Sequence, residues 1–330
     1  MQTNFKASQL QEQDVAEAEG ILRKCVHCGL CTATCPTYVL LGDELDSPRG
    51  RIYLIKNLLE SGKAPDERTV RHIDRCLTCL SCTTTCPSGV DYMHLVDRAR
   101  LRIESQYVRP LPERLLRWVL SQVLPRPSLF RAALLLARLI KPLSALAPGR
   151  LKVLLSMAPD RLPAASVKGN RQIYRAQGIR KMRVSFLEGC VQKTLDPNIN
   201  TATIRLLNRL GCEVVVAKGS GCCGALTQHM GKETDTKAYV RANVSAWSEE
   251  LRGGGLDAVV VNASGCGTTV KDYGHILKND PRWAEASRKI SDLAMDITEL
   301  LQVLGFPEIN QQQGLKVAYH AACSLQHGQT

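Results

Sequence analysis

The sequence predicts an α + α/β chain. An all-helical N-terminal segment encloses two cysteine loops, a helical linker follows, and strands then alternate with helices. Three observations carry this expectation. One frame, C-x2-C-x2-C-x3-C-P, occurs twice, as "CVHCGLCTATCP" from Cys25 and as "CLTCLSCTTTCP" from Cys76. Residues 1–106 show helical periodicity around both copies and no β-alternation. From residue 181, short apolar runs lead into glycine-rich loops and then into amphipathic helices, the texture of parallel βαβ units.

Taken in order, Leu10, Val15, Ala18, Ile21 and Leu22 place a helix over 10–24. Ser47 and Pro48 start a second helix and Gly62 stops it. "DERTVRHIDRC" and "DYMHLVDRARLRIESQ" read as two more. Residues 107–180 are rich in Leu, Arg and Pro, and prolines cut them into short helices. Arg131 and Arg138 recur among apolar residues in "LFRAALLLARLI", so this stretch suits an anionic membrane surface or a linker packed on a neighbour. Strands follow over "KMRVSFLEGC", "CEVVVAKGSGCCG" and "LDAVVVNASGCG". Helices follow over "NINTATIRLLNRLG", "KAYVRANVSAWSEEL" and "ISDLAMDITELLQVLG". Ligands collect beyond the carboxyl ends of parallel strands, so Cys190, Cys222, Cys223 and Cys266 are expected to converge there. Cys212 is expected in the core. "LKVAYHAACSLQHGQT" echoes "MRVSFLEGCVQKTLDP", so 314–330 is expected to begin a second, truncated copy of the unit with Cys323 as its first cysteine.

Composition narrows the function. With 330 residues, 44% apolar and 22% charged, the chain is globular and large enough for several domains. The net charge of +12 fits nucleic acid, an anionic membrane, an acidic partner or cofactor, or a solvated basic surface. Aromatic residues are only 5% and do not interleave with the basic ones, which argues against a nucleic-acid binder. The polar opening "MQTNFKASQLQEQDVAEAEG" lacks the apolar stretch of a signal peptide, and no run of eighteen apolar residues occurs. The expectation is a cytoplasmic chain. In that reducing compartment, clustered cysteines among a total of 14 mean metal or redox chemistry rather than disulfides.

Thiols two residues apart in a turn point the same way, and the N–H groups between them can hydrogen-bond cluster sulfurs. The repeated frame is that of bacterial ferredoxins, in which the fourth cysteine of each run serves the other cluster. This gives Cys25, Cys28, Cys31 and Cys86 for one [4Fe–4S] cluster, and Cys76, Cys79, Cys82 and Cys35 for the second. Zinc sites use paired C-x2-C and need neither the third cysteine nor the C-P ending. His27, His72 and His94 are expected as solvated loop residues, because the ligand sets are already complete. Arg23, Lys24, Arg49, Arg51 and Arg75 lie near the motifs and can offset cluster charge.

"FLEGC", "GCCGAL" and "ASGCGTTVKDYG" together resemble the cysteine-rich CCG domain of heterodisulfide reductase subunits and related iron–sulfur oxidoreductase subunits. Preceded by "CVHCGLCTATCPTY", "SPRGRIYLIK" and "CLTCLSCTTTCPSGV", the whole resembles the family of glycolate oxidase iron–sulfur subunits. The resemblance implies an α-helical two-cluster ferredoxin domain (1–106), a basic linker (107–180), a first CCG repeat (181–313) and the start of a second (314–330). It implies electron transfer from a flavoprotein partner, with FAD on the partner subunits, towards the quinone pool at the inner face of the membrane, and oxidation of glycolate by the complex. Alternatives are a CCG-type disulfide or quinone reductase subunit, or the equivalent subunit of a lactate or glycerol-3-phosphate dehydrogenase. No flavin or nicotinamide motif and no nucleophile–base pair appears, so hydride chemistry is expected on another subunit. One departure concerns Cys190, Cys222, Cys223 and Cys266. Ala263 and Thr269 stand where a C-x2-C partner of Cys266 is expected, which leaves a third cluster, a redox-active thiol or a structural role open.

Overall fold

The computed structural model describes residues 1–146, 149–164, 171–305 and 314–329. The chain divides into two compact units. The first comprises Met1–Pro110, Thr227–Thr234 and Val317–Thr330; the second comprises Leu111–Leu226 and Asp235–Lys316.

The first unit is helical among its described residues: α1 (Gln13–Lys24), α2 (Pro36–Leu41), α3 (Pro48–Ser61), α4 (Glu67–Asp74), α5 (Ser81–Thr85) and α6 (Tyr92–Gln106). Local chemistry sets the ends of α3. The Ser47 hydroxyl accepts from the Gly50 N–H at 3.0 Å, Pro48 fills the first turn, and Gly62 closes the helix in a left-handed conformation. Its inner face carries Ile52, Ile55, Leu58 and Leu59, packed with Leu22 of α1, Ile73 of α4 and Leu95, Val96 and Ala99 of α6. Each large aliphatic residue so buried contributes roughly 2 kcal/mol before entropy is set against it. Cys25 and Cys82 belong to the same core, so the cysteine loops are anchored from behind by apolar packing.

The second unit begins with α7 (Leu111–Val123), α8 (Pro127–Ile140) and α9 (Gly149–Ser156). The α/β part follows: β1 (Gln172–Tyr174), β2 (Met182–Leu187), α10 (Gln192–Leu195), α11 (Pro197–Arg209), β3 (Cys212–Val216), α12 (Ala225–His229) and α13 (Glu233–Gly254). It ends with β4 (Ala258–Val261), α14 (Ser264–Lys271), α15 (Tyr273–Ile276), α16 (Ala284–Asp292), β5 (Ala294–Asp296) and α17 (Ile297–Leu304). Helix α12 passes from the second unit into the segment Thr227–Thr234 of the first. The sheet order is β1-β3-β2-β4-β5. Strands β3, β2, β4 and β5 are parallel, and β1 pairs antiparallel with β3 at the edge. Val184, Phe186, Val214, Val216, Ala258 and Val260 face one apolar core, while Leu187, Val259 and Val261 face the other with Trp247 and Tyr273. Strands covered on both faces read as continuous apolar runs, as these do.

The structure corrects three readings. "ISDLAMDITELLQVLG" is not one helix. It splits into the end of α16, the strand β5 and α17. Asp296 stops the strand and caps α17, accepting from Thr298 N–H at 2.9 Å while its own N–H donates to Glu299 at 2.7 Å, a capping box that restarts the helix. Second, β1 forms inside the stretch read as wholly helical, because the edge of β3 offers unpaired backbone groups. Third, residues 314–322 form no strand: Leu315, Val317 and Tyr319 are exposed, and a helix begins at Cys323. A strand without a neighbour leaves its N–H and C=O groups unpaired, and water satisfies them equally well.

Candidate metal centres

The two cysteine loops share one backbone path. His27 and Gly29 in the first loop, and Thr78 and Leu80 at the equivalent places of the second, all have positive φ. Three of the four are not glycine, so the loops hold an uncommon conformation twice over. Alternating left-handed residues turn successive N–H groups inward, forming a concave nest suited to an anionic group. Cys25 ends α1, and Cys35 precedes α2, whose first residue is Pro36. Cys86 ends α5 ahead of Pro87.

Two cavities lie between these loops. One is lined by Cys25, Cys28, Cys31, Cys82 and Cys86. The other is lined by Cys35, Cys76, Cys79 and Cys82. Each therefore gathers thiols from both loops, with Cys82 and Tyr92 in the wall of each. Burial raises the Cys31 thiol, and the facing Cys25 and Cys86 raise it further, although the Arg49 backbone N–H works against them. Burial pushes the Cys82 thiol up, and Cys76, Cys79, Cys31 and Cys35 add to the shift. Packed thiols that oppose one another's ionisation become thiolates when a cationic core sits among them. The residues present thus fit a metal cluster.

The surroundings of the second cavity are charged and buried. Arg51 is only 1% exposed. It donates to the His72 carbonyl at 2.7 Å, to the Thr37 hydroxyl at 3.0 Å and to Asp46 at 3.2 Å, and its Nη1 lies 3.8 Å from the Cys35 sulfur. Arg75 reaches the other Asp46 oxygen at 2.9 Å. Burial alone would raise the Asp46 carboxyl, but hydrogen bonds from His72 and Arg75 and the charges of His72 and Arg51 outweigh it and hold it below its ordinary value. The Tyr92 hydroxyl lies 3.6 Å from the Cys76 sulfur. Of the cations read near the motifs, Arg23 pairs with Glu19 and Arg49 with Glu44. His72 is corrected from a solvated loop residue: it is buried on α4, 3.0 Å from Asp46, because α4 packs that face inward. His94 is likewise on a helix, 2.5 Å from Asp91.

In the second unit, Cys190 follows β2, Cys222 and Cys223 follow β3, and Cys266 lies on α14 after β4. The carboxyl ends of three adjacent parallel strands bring these four together. The free thiols of Cys190 and Cys222 are hydrogen-bonding neighbours, and the Cys223 sulfur lies 3.1 Å from that of Cys266. The hydrogen bond with Cys222 pushes the Cys190 thiol up, and burial adds to it. At Cys222 the bond from Cys190 lowers the thiol, but the bond with Cys223 and burial outweigh it and leave it at about 12. Two residues not singled out by sequence hold this loop. Asn243 donates to the Cys222 carbonyl at 2.8 Å and accepts from Gly221 N–H at 2.8 Å; Tyr273 donates to the Cys223 carbonyl at 2.8 Å. Asn243 is a polar residue on the buried face of α13, the one signal that could have found it. Thr269 donates to the Gly265 carbonyl and Ala263 caps α14, so neither adds a metal ligand. A cleft of about 550 Å³ opens on Cys190 and Cys222, with Arg131 and Lys193 in its wall. Cys212 is fully buried in β3, and Cys323 is exposed in the first unit.

Residues 21–90 match the family model of the 4Fe-4S dicluster domain, and residues 184–271 match that of the cysteine-rich domain. The chain is 46% identical over its whole length to the glycolate oxidase iron-sulfur subunit of Escherichia coli, covering 77% of that protein. It is 32% identical to the probable glycolate oxidase iron-sulfur subunit of Bacillus subtilis, over 94% of this chain and 72% of that one. Lactate utilization protein A of Bacillus subtilis is 28% identical over 44% of the chain. No solved structure matches. By its two matched domains and its full-length similarity, the chain belongs to the family of glycolate oxidase iron–sulfur subunits, electron-transfer subunits of an oxidoreductase complex that carry two [4Fe–4S] clusters.

Proposed function

We propose that this chain relays electrons, one at a time, from a flavoprotein partner towards the quinone pool while the complex oxidises glycolate to glyoxylate. Cys25, Cys28, Cys31 and Cys86 hold one cluster (site 1); Cys76, Cys79, Cys82 and Cys35 hold the other (site 2). The observation that supports this ligand exchange is the lining of the two cavities: three thiols of the first loop with Cys86 and Cys82 of the second in one, and three of the second loop with Cys35 of the first in the other. When bound, each cluster supplies a one-electron carrier. The chain's own residues fix the thiolates on short left-handed loops, exclude water with Ile52, Val90 and Tyr92, and neutralise charge with Arg51. FAD and the hydride step belong to the partner subunits in this reading.

No helix among the described residues is long and apolar enough to cross a membrane. Leu111, Leu115 and Trp118 of α7 and Leu135, Leu136 and Leu139 of α8 are exposed beside basic residues. That face supports a cytoplasmic chain held peripherally at the inner membrane surface or by a partner subunit. The thiol row of Cys190, Cys222, Cys223 and Cys266 supports an additional redox or cluster site.

Anaerobic purification, metal analysis and EPR of the reduced chain test this reading. About eight irons with spin-coupled [4Fe–4S] signals are expected from two clusters. Roughly twelve would assign a third cluster to the thiol row. Zinc without iron would overturn the relay. Reconstitution with the flavoprotein partners and a panel of 2-hydroxy acids then tests glycolate as the donor.

A further inference from the structure

The two sites are built of the same loops but lie in different electrostatic surroundings. Site 2 has a permanent cation in contact with its ligands. Arg51 is removed from water and is held on three sides by the His72 carbonyl, the Thr37 hydroxyl and Asp46. Its Nη1 is 3.8 Å from the Cys35 sulfur, and the Thr37 hydroxyl is 3.2 Å from the same atom. Asp46 is shared between Arg51 and Arg75, so it neutralises Arg51 only in part. The Tyr92 hydroxyl points at the Cys76 sulfur from 3.6 Å, in a side chain 3% exposed.

Site 1 has cations of another kind. Arg49 is a third exposed and is spent on Glu44. The Met1 ammonium turns to the carbonyl oxygens of Leu22, Arg23 and Cys25 and is partly in solvent. Cys28 is exposed. Charges in water are screened, whereas a buried charge at contact distance acts nearly in full.

We infer that Arg51, assisted by Tyr92, raises the reduction potential of the cluster at site 2 above that at site 1, so that the first electron to enter the chain rests there. The inference depends on the ligand assignment proposed above. Adding one electron makes the cluster and its four thiolates one unit more negative. A fixed cation and a hydroxyl donor at the sulfurs stabilise the reduced form more than the oxidised one. Water at Cys28 favours reduction at site 1, but only through dipoles that must reorient, whereas Arg51 is already in place. Arg51 and Tyr92 act as positioning residues for the electron, through the sulfurs they touch.

The test is an EPR-monitored redox titration of the intact, cluster-loaded chain, with Cys35→Ser identifying which signal belongs to site 2. Arg51→Gln should lower the site 2 couple by at least tenfold in its reduction equilibrium, a shift of about 59 mV for one electron, and leave site 1 unmoved. Arg51→Lys should restore most of that shift. Tyr92→Phe, which removes only a hydroxyl, should lower the same couple by less. If Arg51→Gln loses iron, Tyr92→Phe decides the matter, and an unmoved site 2 couple in that variant overturns the inference. A site 1 couple that is the higher of the two in the parent chain overturns it as well. A parent chain without two clusters overturns the ligand assignment instead.

Discussion

The sulfur of Cys223 lies 3.1 Å from that of Cys266, although 43 residues separate them in the chain. The carboxyl ends of β3 and β4 bring them together, and Tyr273 and Asn243 hold the loop that carries Cys223. Two groups that act as one site lose its function when either is removed. Cys223→Ser and Cys266→Ser should therefore remove the same share of iron beyond eight per chain or, if there is none, the same share of reversibly oxidised thiols. The double variant should lose no more than either. Additive losses, measured by metal analysis and thiol titration, would separate the pair.

A second expectation concerns the exchanged ligand. Cys35→Ser should disturb the cluster of Cys76, Cys79 and Cys82 more than that of Cys25, Cys28 and Cys31. The cavity that Cys35 lines contains the second set and not the first. EPR of the reduced variant reads this directly, and the reverse pattern would sink the shared-ligand assignment.

Glycine at position 50 is required by packing. A Cβ there would sit 2.0 Å from the Glu44 carbonyl oxygen, a backbone atom that cannot step aside. Gly50→Ala should cost about 3 kcal/mol, the upper end for overpacking, because α3 must move from the segment carrying Asp46. Gly20 offers the control: it lies within α1 with nothing near its would-be Cβ, so Gly20→Ala should stabilise by about 0.5–1 kcal/mol. Thermal unfolding of both variants gives the comparison, and equal shifts would remove the steric account.

Acid sensitivity of the second unit should run through Glu250. Hydrogen bonds from Arg171 lower its carboxyl, and Arg183 adds to this against the effect of burial. A carboxyl depressed in the folded state stabilises fully above its unfolded value, and that contribution is lost as pH falls through the folded value. Stability should therefore fall below about pH 4.5, the ordinary value of the group. Glu250→Gln should flatten that fall while costing about 3 kcal/mol at pH 7, because Arg183 is left buried with one partner fewer. Parallel stability curves for the two proteins between pH 6 and 3 would argue against this role.

The ferredoxin frame was legible because its chemistry is local. Spacings of two and three residues set which thiols can share a turn, and proline marks where each run ends. The helices at 10–24, 47–62 and 91–106 were legible for a similar reason, since their caps and apolar faces are written within one segment. Strand β5 was hidden because three residues carry no periodicity; only the Asp296 and Glu299 pair marked the restart of the helix.

Burial of the charged residues was not legible at all. Arg51 and Arg49 stand two positions apart in "SPRGR" and look alike on paper. The turn of α3 directs one into the core beside Cys35 and leaves the other at the surface on Glu44. Likewise "GCCG" announces a thiol site, but its link to Cys190 and Cys266 depends on the order of β3, β2 and β4 in the sheet. The sequence alone determined which atoms can bind metal, through residue type and short-range spacing. Only the tertiary structure decided which of them meet and what charge stands beside them, because those relations span tens of residues and follow from how helices and strands pack.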